Sequence, residues 1–162
     1  MTSSVANSSA DPAANTAAHL ELGRRGEELA AAYLLQAGYR IVAANFSLPV
    51  GRNRIDAVIN VEMDLVAYEG EMLCFIEVKS RASDWFAPPE ANVDRRKQRQ
   101  VARGARAYRR MFGLMNAPYR YDVITVVLPA DGAGPGPEVQ LLRNYWNDDR
   151  FRKRTWTDRY WD

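Results

Sequence analysis

Two short apolar segments place the strongest constraint on what this chain can fold into. Residues 72–76 (MLCFI) and 121–128 (YDVITVVL) are almost continuously apolar. Strands that are buried on both faces have such sequences, whereas a half-buried strand alternates apolar and polar residues. A sheet that is covered on both faces needs helices on each side. The two segments therefore predict an α/β fold, with a small mixed β-sheet flanked by helices.

Two further segments have the periodicity of the helices that such a fold needs. Apolar side chains recur at helical spacing from Leu20 to Ala37. Gly38 then favours the left-handed backbone conformation that ends a helix. A second helix is predicted from about Asn92 to Phe112. Short strands are predicted over residues 55–61, 63–68, 72–79, 121–128 and 139–142, with a glycine-containing hairpin turn at residues 69–71.

The composition along the chain predicts three regions. Residues 1–19 are mostly small and polar, so we expect a disordered N-terminal tail that cannot bury enough surface to offset its ordering entropy. Residues 20–145 form the folded domain. Residues 146–162 form a C-terminal extension in which Arg, Asp and Trp alternate without clear periodicity.

The scarcity of cysteine and histidine excludes several classes of site. Cys74 is the single cysteine, which excludes an intramolecular disulfide and a cysteine-based zinc site, and the single histidine, His19, argues against histidine catalysis. No apolar run approaches the roughly 18 residues that span a bilayer, and the N-terminus lacks the features of a signal peptide. We therefore expect a cytoplasmic protein of a reducing compartment, with no membrane partner.

Charged residues end the first of the two apolar strands. Glu77 and Lys79 lie two positions apart, so they share one face of the strand. Asp64 lies on the strand before the hairpin turn, and strand pairing can bring its carboxylate beside Glu77. Two adjacent carboxylates repel unless a cation neutralises them, and Mg²⁺ or Mn²⁺ favours such oxygen ligands. The spacing predicts a metal site at Asp64 and Glu77 with Lys79 beside it; the alternative is a surface Asp and a solvated Glu–Lys pair.

One acidic residue of the first helix is a candidate third carboxylate. Glu27 follows Gly26 and borders the apolar face of the helix, so it can point toward the sheet. The alternative is a solvated glutamate beside Glu28, which is the usual state of a helical glutamate.

The second helix carries an unusual concentration of positive charge. The chain has 19 Arg and 3 Lys, and residues 95–110 contain eight basic residues and no acidic one. Such a ridge is typical of a surface that binds a phosphate backbone, although a solvated basic helix is the alternative. Lys97 follows the apolar stripe at intervals of four, so it either extends to solvent or meets the carboxylates or a phosphate. The predicted nucleic-acid-binding residues of this helix are Arg95, Arg96, Lys97, Arg99, Arg103 and Arg106.

These motifs, in this order, resemble the bacterial YraN-type family, which is related to archaeal Holliday-junction resolvases and to the PD-(D/E)xK nuclease superfamily. The similarity covers about residues 22–128. It rests on GRRGEELA at residues 23–30, on Tyr33-Leu34, Gly38-Tyr39 and Asn45, on EMDLVA at residues 62–67, on FIEVKSR at residues 75–81, on Lys97, and on RYDV at residues 120–123.

The resemblance implies a restriction-endonuclease-like fold for residues 20–145, with a resolvase-like nuclease domain. It also implies a Mg²⁺ site at Asp64 and Glu77, a catalytic role for Lys79 and an accessory role for Glu27. Arg81, which ends the FIEVKSR segment, joins the predicted nucleic-acid-binding surface.

The sequence departs from the family pattern at two places. Val61 stands where the family has glycine, and residues 47–60 are longer than expected, which suggests an insertion. Asp56 lies in that stretch and is the alternative metal aspartate. We prefer Asp64, because its strand leads through the short turn directly into Glu77.

The leading hypothesis is a Mg²⁺-dependent endonuclease-like protein that hydrolyses phosphodiesters in DNA, including branched or otherwise structured DNA. The first alternative is a non-catalytic nucleic-acid-binding module with the same fold. The second is an interaction adaptor that docks through Trp146, Trp156 and Trp161. A homodimer is left open as the state of assembly.

Overall fold

The structure is a computed structural model, and it describes residues 11–83, 93–130 and 134–151. Neither α-helix in these ranges is both long and apolar enough to cross a bilayer. In chain order the elements are α1 (Pro12–Gln36), β1 (Arg40–Arg52), β2 (Val58–Glu69), β3 (Met72–Ala82), α2 (Arg95–Met111), β4 (Tyr119–Leu128), β5 (Glu138–Trp146) and a 3-10 helix (Asp148–Phe151).

The strands form one mixed sheet in the order β1-β2-β3-β4-β5. β3 and β4 are parallel, and the other neighbours are antiparallel. A parallel pair needs a crossover connection, and α2 lies in the segment between β3 and β4. The predicted α/β fold, with a mixed sheet flanked by helices, is confirmed.

The two helices cover opposite faces of the sheet. α1 packs on one face through Ala30 and Leu34, together with alternate residues of β2, β3 and β4. α2 packs on the other face through Val101, Ala105 and Tyr108. Both faces of the two central apolar strands are therefore buried, as the sequence predicted.

Glycines allow each helix to approach the sheet closely. A Cβ atom added at Gly26 of α1 would lie 2.7 Å from Cβ of Ser80 on β3. A Cβ atom added at Gly104 of α2 would lie 2.9 Å from Sδ of Met63 on β2. Both distances are shorter than side chains tolerate, so these contacts bring helix backbone directly against the strands that carry the candidate site.

The N-terminal helix begins earlier than predicted. α1 starts at Pro12 rather than Leu20, and the Asp11 side chain caps it by accepting a hydrogen bond of 3.0 Å from Ala13 N–H. The expected disorder is therefore wrong for residues 12–19. This first part has no apolar periodicity because it is exposed, whereas the cap and the proline at the first helical position favour a helix start. Residues 1–10 lie outside the described residues.

The stretch that the sequence suggested as an insertion is part of the β1–β2 hairpin. Residues 40–52 form a strand that the sequence analysis did not predict, and β2 is continuous where two strands, 55–61 and 63–68, were expected. Residues 47–60 comprise the end of β1, the hairpin turn and the start of β2. Burial along β1 is irregular and most of its residues are exposed, so its sequence carries little periodic signal.

The C-terminal boundary also differs from the prediction. β5 extends to Trp146, which is buried and stacks on Tyr121 with ring centroids 4.9 Å apart. Trp146 is thus part of the core, and its interpretation as an adaptor docking residue is wrong. Asp148 accepts hydrogen bonds from the hydroxyls of Tyr119 and Tyr121, which fixes the 3-10 helix against β4. Trp156 and Trp161 lie outside the described residues.

Candidate metal centre and nucleic-acid surface

The candidate site lies where two neighbouring strands separate. β2 and β3 pair from Glu69–Met72 to Leu65–Ile76, and their pairing ends there. Beyond that point β2 continues beside β1, whereas β3 continues beside β4. Asp64 and Glu77 are the next residues along the two strands, so they stand opposite each other at the opening.

The Asp64 carboxylate occupies this opening. Its Oδ2 atom accepts a hydrogen bond of 2.8 Å from the backbone N–H of Val78 on β3. A main-chain carbonyl of β2 would accept this hydrogen bond if the ladder continued. The side chain thereby replaces the backbone acceptor, and its charge is held beside Glu77.

Glu77 is a buried carboxylate with incomplete hydrogen bonding. The residue is 3% exposed, and its Oε1 atom lies 3.4 Å from Nζ of Lys79 and 3.4 Å from Nζ of Lys97. Its Oε2 atom is buried and has no hydrogen-bond partner in the described part of the chain. Burial raises the pKa of Glu77 to about 7, the negative charge of Asp64 adds to the increase, and the two lysines oppose it. An additional cation or a proton at this site would satisfy the free oxygen.

Lys97 connects the second helix to this site. Its ammonium group lies on the side of α2 that faces Glu77, rather than extending away into solvent. Of the alternatives that the sequence left open, the structure places Lys97 against a carboxylate. Lys79 is more accessible, with 41% of its side chain exposed, so its ammonium group can also contact a bound ligand.

The two remaining acidic candidates are not part of this cluster. Glu27 is half-buried on α1 and makes no hydrogen bond or ion pair with the described residues. Asp56 lies exposed in the β1–β2 turn with a φ of 63°, and its Oδ2 atom is 3.5 Å from Nη1 of Arg52. The structure therefore places Asp64, and not Asp56, beside Glu77.

The donor set is compatible with a hard divalent cation. No group of three or more His, Cys, Asp or Glu residues in the described ranges is arranged to hold a metal ion. Asp64 and Glu77 supply two carboxylates, and one Glu77 oxygen is free. Mg²⁺ commonly takes only one or two protein carboxylates and completes its shell with water and substrate phosphate. The pair fits such a site.

The exposed face of α2 is made of arginines. Arg95, Arg96, Arg99, Arg103 and Arg106 are all exposed, and helical spacing places them on one side of the helix, away from the sheet. Lys97, by contrast, points to the carboxylates. Arg81 is half-buried on β3 beyond Lys79, so it lies near the site rather than on the helical surface.

One buried arginine was missed in the sequence analysis. Arg109 belongs to the basic run, yet it is 8% exposed and lies over the ring of Tyr119. Its position was available from spacing, because residue 109 follows Val101 by eight and Ala105 by four. The basic residues around Arg109 made this apolar periodicity hard to recognise in the sequence.

Comparison with known proteins identifies the family. Residues 26–126 match the model of the uncharacterised protein family UPF0102. A UPF0102 protein of Koribacter versatilis is 41% identical over 126 residues, which cover 78% of this chain and 79% of the relative. The chain belongs to the UPF0102 family. Similar UPF0102 proteins include one of Porphyromonas gingivalis (40% identical; 71% of this chain, 77% of the relative) and one of Chlorobaculum tepidum (42%; 65% and 74%).

The UPF0102 match includes the candidate site and ends before the C-terminal elements. Asp64, Glu77, Lys79 and Lys97 all lie within residues 26–126, whereas β5 and the 3-10 helix lie beyond them. The prediction of a YraN-type family is therefore confirmed as membership of the UPF0102 family.

Proposed function

We propose that this UPF0102 protein is a metal-dependent, endonuclease-like protein of the PD-(D/E)xK superfamily that hydrolyses phosphodiesters in DNA. The observation that carries this proposal is the state of Glu77. Its carboxylate is buried beside Asp64, and its Oε2 atom has no hydrogen-bond partner among the described residues. A buried, incompletely satisfied carboxylate is costly to maintain, and a bound divalent ion would remove that cost.

Each residue of the cluster has a distinct part in this proposal. When bound, Mg²⁺ or Mn²⁺ polarises a phosphoryl oxygen and lowers the pKa of water. Asp64 and Glu77 hold the ion, and the Val78 N–H fixes the Asp64 carboxylate. Lys79, which is partly exposed, stabilises negative charge that develops on the phosphate. Lys97 acts as a positioning residue that orients Glu77. The accessory role of Glu27 rests on the family resemblance alone.

The basic surface of α2 supports a nucleic-acid substrate. Its exposed arginines present forked guanidinium groups, which match the geometry of phosphate oxygens. Lys97 lies on the same helix and contacts Glu77, so α2 carries both the arginine surface and a lysine of the carboxylate site. Arg81 extends the positive charge along β3. We propose that this surface holds DNA, including branched or structured DNA, while the carboxylate site acts on its backbone.

A second candidate function is a nucleic-acid-binding module that does not cleave. The observation that favours it is the position of both lysines against one oxygen of Glu77. Two ammonium groups partly neutralise the carboxylate pair even when no metal ion is bound. Such a cluster can stabilise the structure where β2 and β3 separate without catalysing a reaction.

A cleavage screen distinguishes the two functions. Purified protein is incubated with single-stranded, duplex, flap and four-way DNA, with Mg²⁺, with Mn²⁺ and with a chelator. We expect ion-dependent cleavage that Asp64→Asn and Glu77→Gln abolish while DNA binding is retained, and Asp56→Asn should cleave normally. Binding without cleavage of any substrate would favour the non-cleaving module. Absence of binding to every substrate would contradict both.

A further inference from the structure

A cavity lies on a different side of α2 from the carboxylate pair. Its volume is about 560 Å³, and none of Asp64, Glu77, Lys79 and Lys97 lines it. The lining combines positive charge with aromatic rings, and its main members are Arg99, Arg103, Arg106, Arg109, Tyr119 and Phe151. This composition distinguishes the cavity from an ordinary apolar gap between a helix and a sheet.

Arg109 gives the cavity a fixed and incompletely paired cation. Its guanidinium carbon lies 3.7 Å from the centroid of the Tyr119 ring, and its Nη2 atom donates a hydrogen bond of 2.8 Å to the Met115 carbonyl. The residue is 8% exposed, and its Nε atom is buried without a hydrogen-bond partner in the described residues. The ring and the carbonyl hold the guanidinium plane in place. Arg109 lines the cavity, so it contributes a fixed, planar and positively charged group to the lining.

The carboxylate that lines the cavity does not neutralise this charge. Asp148 accepts hydrogen bonds from the hydroxyls of Tyr119 and Tyr121, one on each of its oxygens. No ion pair joins it to Arg109 within the described structure. Arg99 and Arg103 likewise form no ion pair with described residues. Four arginines therefore line the cavity with one carboxylate that is already hydrogen-bonded, so the lining carries a net positive charge.

We infer that this cavity binds a phosphorylated nucleoside. The exposed arginines contact the phosphate, and the base stacks against the guanidinium plane of Arg109, beside Phe151. Planar guanidinium groups and aromatic rings are the surfaces on which unpaired bases stack in nucleic-acid-binding proteins. The ligand is either an unpaired nucleotide of a DNA strand bound along α2 or a free nucleotide. The first form rests on the proposed function, whereas the second does not.

The inference is tested with matched ligands that differ only in the base. Fluorescence anisotropy with the full-length protein compares a blunt duplex, the duplex with a one-nucleotide adenine overhang, and the same overhang with an abasic residue. Calorimetric titration with dAMP and with inorganic phosphate measures the free ligand. We expect the adenine overhang to bind about 5- to 150-fold more tightly than the abasic overhang, which is the range for one stacked base.

Two variants alter the cavity in different ways. Arg109→Met removes the guanidinium, and Ala102→Phe fills the cavity from α2 while every arginine is retained. Both should abolish the preference for the base and leave blunt-duplex affinity nearly unchanged. Arg110→Ala is the matched control, because Arg110 is an exposed basic residue of α2 that does not line the cavity. Thermal melting verifies folding, and Ala102→Phe carries the test if Arg109→Met does not fold.

The outcomes distinguish the two sources of the ligand from each other, and both from the case in which the inference is wrong. Base-dependent overhang binding that both variants abolish supports an unpaired nucleotide of DNA. A free nucleotide is supported if the wild type binds dAMP but neither inorganic phosphate nor DNA, and if both variants lose the binding of dAMP. That result would contradict the proposed function but not the inference. If wild-type protein binds DNA but does not distinguish adenine from abasic overhangs, and does not bind dAMP, the inference is wrong while the proposed function stands.

Discussion

The Oδ2 atom of Asp64 accepts a hydrogen bond of 2.8 Å from the backbone N–H of Val78, at the position where β2 stops pairing with β3. The carboxylate therefore accepts a hydrogen bond from a β3 backbone N–H that the backbone of β2 no longer reaches once the two strands separate. The same hydrogen bond holds the negative charge of Asp64 beside Glu77. One side chain thus ends the strand pairing and positions half of the proposed ion site.

The first prediction concerns stabilisation by divalent ions. An ion that binds only the folded state raises the free energy of unfolding by about 2.7 kcal/mol at about 100 times its Kd. Differential scanning fluorimetry of the wild type should therefore show a rising Tm as Mg²⁺ or Mn²⁺ is added. Asp64→Asn retains an acceptor for Val78 N–H but removes the charge, so its Tm should not respond.

Asp56→Asn is the matched control for this prediction, because Asp56 lies exposed in the β1–β2 turn. Its Tm should rise with the ion as in the wild type. Without the ion, Asp64→Asn is expected to equal or exceed the wild type in Tm, because repulsion from Glu77 is relieved. An ion response that survives in Asp64→Asn and disappears in Asp56→Asn would reverse the assignment of the two aspartates.

The second prediction concerns the arginine surface of α2. Replacement of Arg99, Arg103 and Arg106 by Ala should weaken DNA binding irrespective of sequence. Each lost phosphate contact removes about 0.9 from the slope of log K against log salt on duplex DNA, so the slope should fall by up to about 2.7. The measurement is fluorescence anisotropy across a salt series. Arg25→Ala, exposed on α1 at the opposite face of the sheet, should keep the wild-type slope, and an unchanged slope in the triple variant would exclude this surface.

The third prediction concerns the contact between α1 and β3. Gly26→Ala should destabilise the fold by about 1–3 kcal/mol, because its Cβ atom would lie 2.7 Å from Cβ of Ser80. Gly23→Ala in the same helix meets no atom within 4 Å and should be neutral or stabilising by up to about 1 kcal/mol. Urea unfolding measures both. The double variant Gly26→Ala, Ser80→Gly should recover stability, and equal effects of the two alanine substitutions would show that the helix does not approach the strand this closely.

The fourth prediction concerns the pH dependence of stability at the β2–β3 turn. Glu69 pairs with Arg120 at 2.6 Å and with Arg143 at 3.0 Å. The hydrogen bond from Arg120 lowers the pKa of Glu69 to about 2, Arg143 adds to the decrease, and burial opposes it. A lowered folded-state pKa contributes stability that is complete above the unfolded pKa of about 4.3 and is lost as the pH falls toward 2.

Glu69→Gln should therefore unfold more easily than the wild type at pH 7, and the difference should shrink as the pH is lowered from about 5 to 2. Because 37% of the Glu69 side chain is exposed, solvent screening limits the effect at pH 7 to about 1 kcal/mol. Chemical unfolding at several pH values provides the measurement. Glu71→Gln, an exposed residue two positions along the turn, should show no such difference. A constant gap at all pH values would mean that Glu69 contributes through packing and not through charge.

Much of the architecture follows from local periodicity. Alternation along β3 places Glu77 and Lys79 on one face, and the four-residue spacing from Val93 to Val101 places Lys97 toward the sheet. These inferences need only the backbone geometry of one strand or one helix. They hold because each apolar face must be buried against another layer.

Local periodicity failed where a segment is ordered by partners distant in sequence. β1 has few buried residues, and it is a strand because β2 supplies its hydrogen bonds from Arg40–Tyr68 to Arg52–Val58. The early start of α1 has a different cause, since Asp11 and Pro12 form a local cap without any apolar stripe. Strand pairing and helix capping therefore give regular structure to β1 and to the start of α1. The hydrophobic pattern alone describes these segments as loop and tail.

The sequence alone determined the fold class, the position of Glu77 and Lys79 on one face of β3, and the inward position of Lys97. Only the tertiary structure decided that Asp64 rather than Asp56 stands beside Glu77, because this depends on where β2 leaves β3. It also decided that Arg109 is buried over Tyr119. Hydrogen bonds and ring contacts between residues far apart in the chain fix these positions, and no periodicity within a single element specifies them.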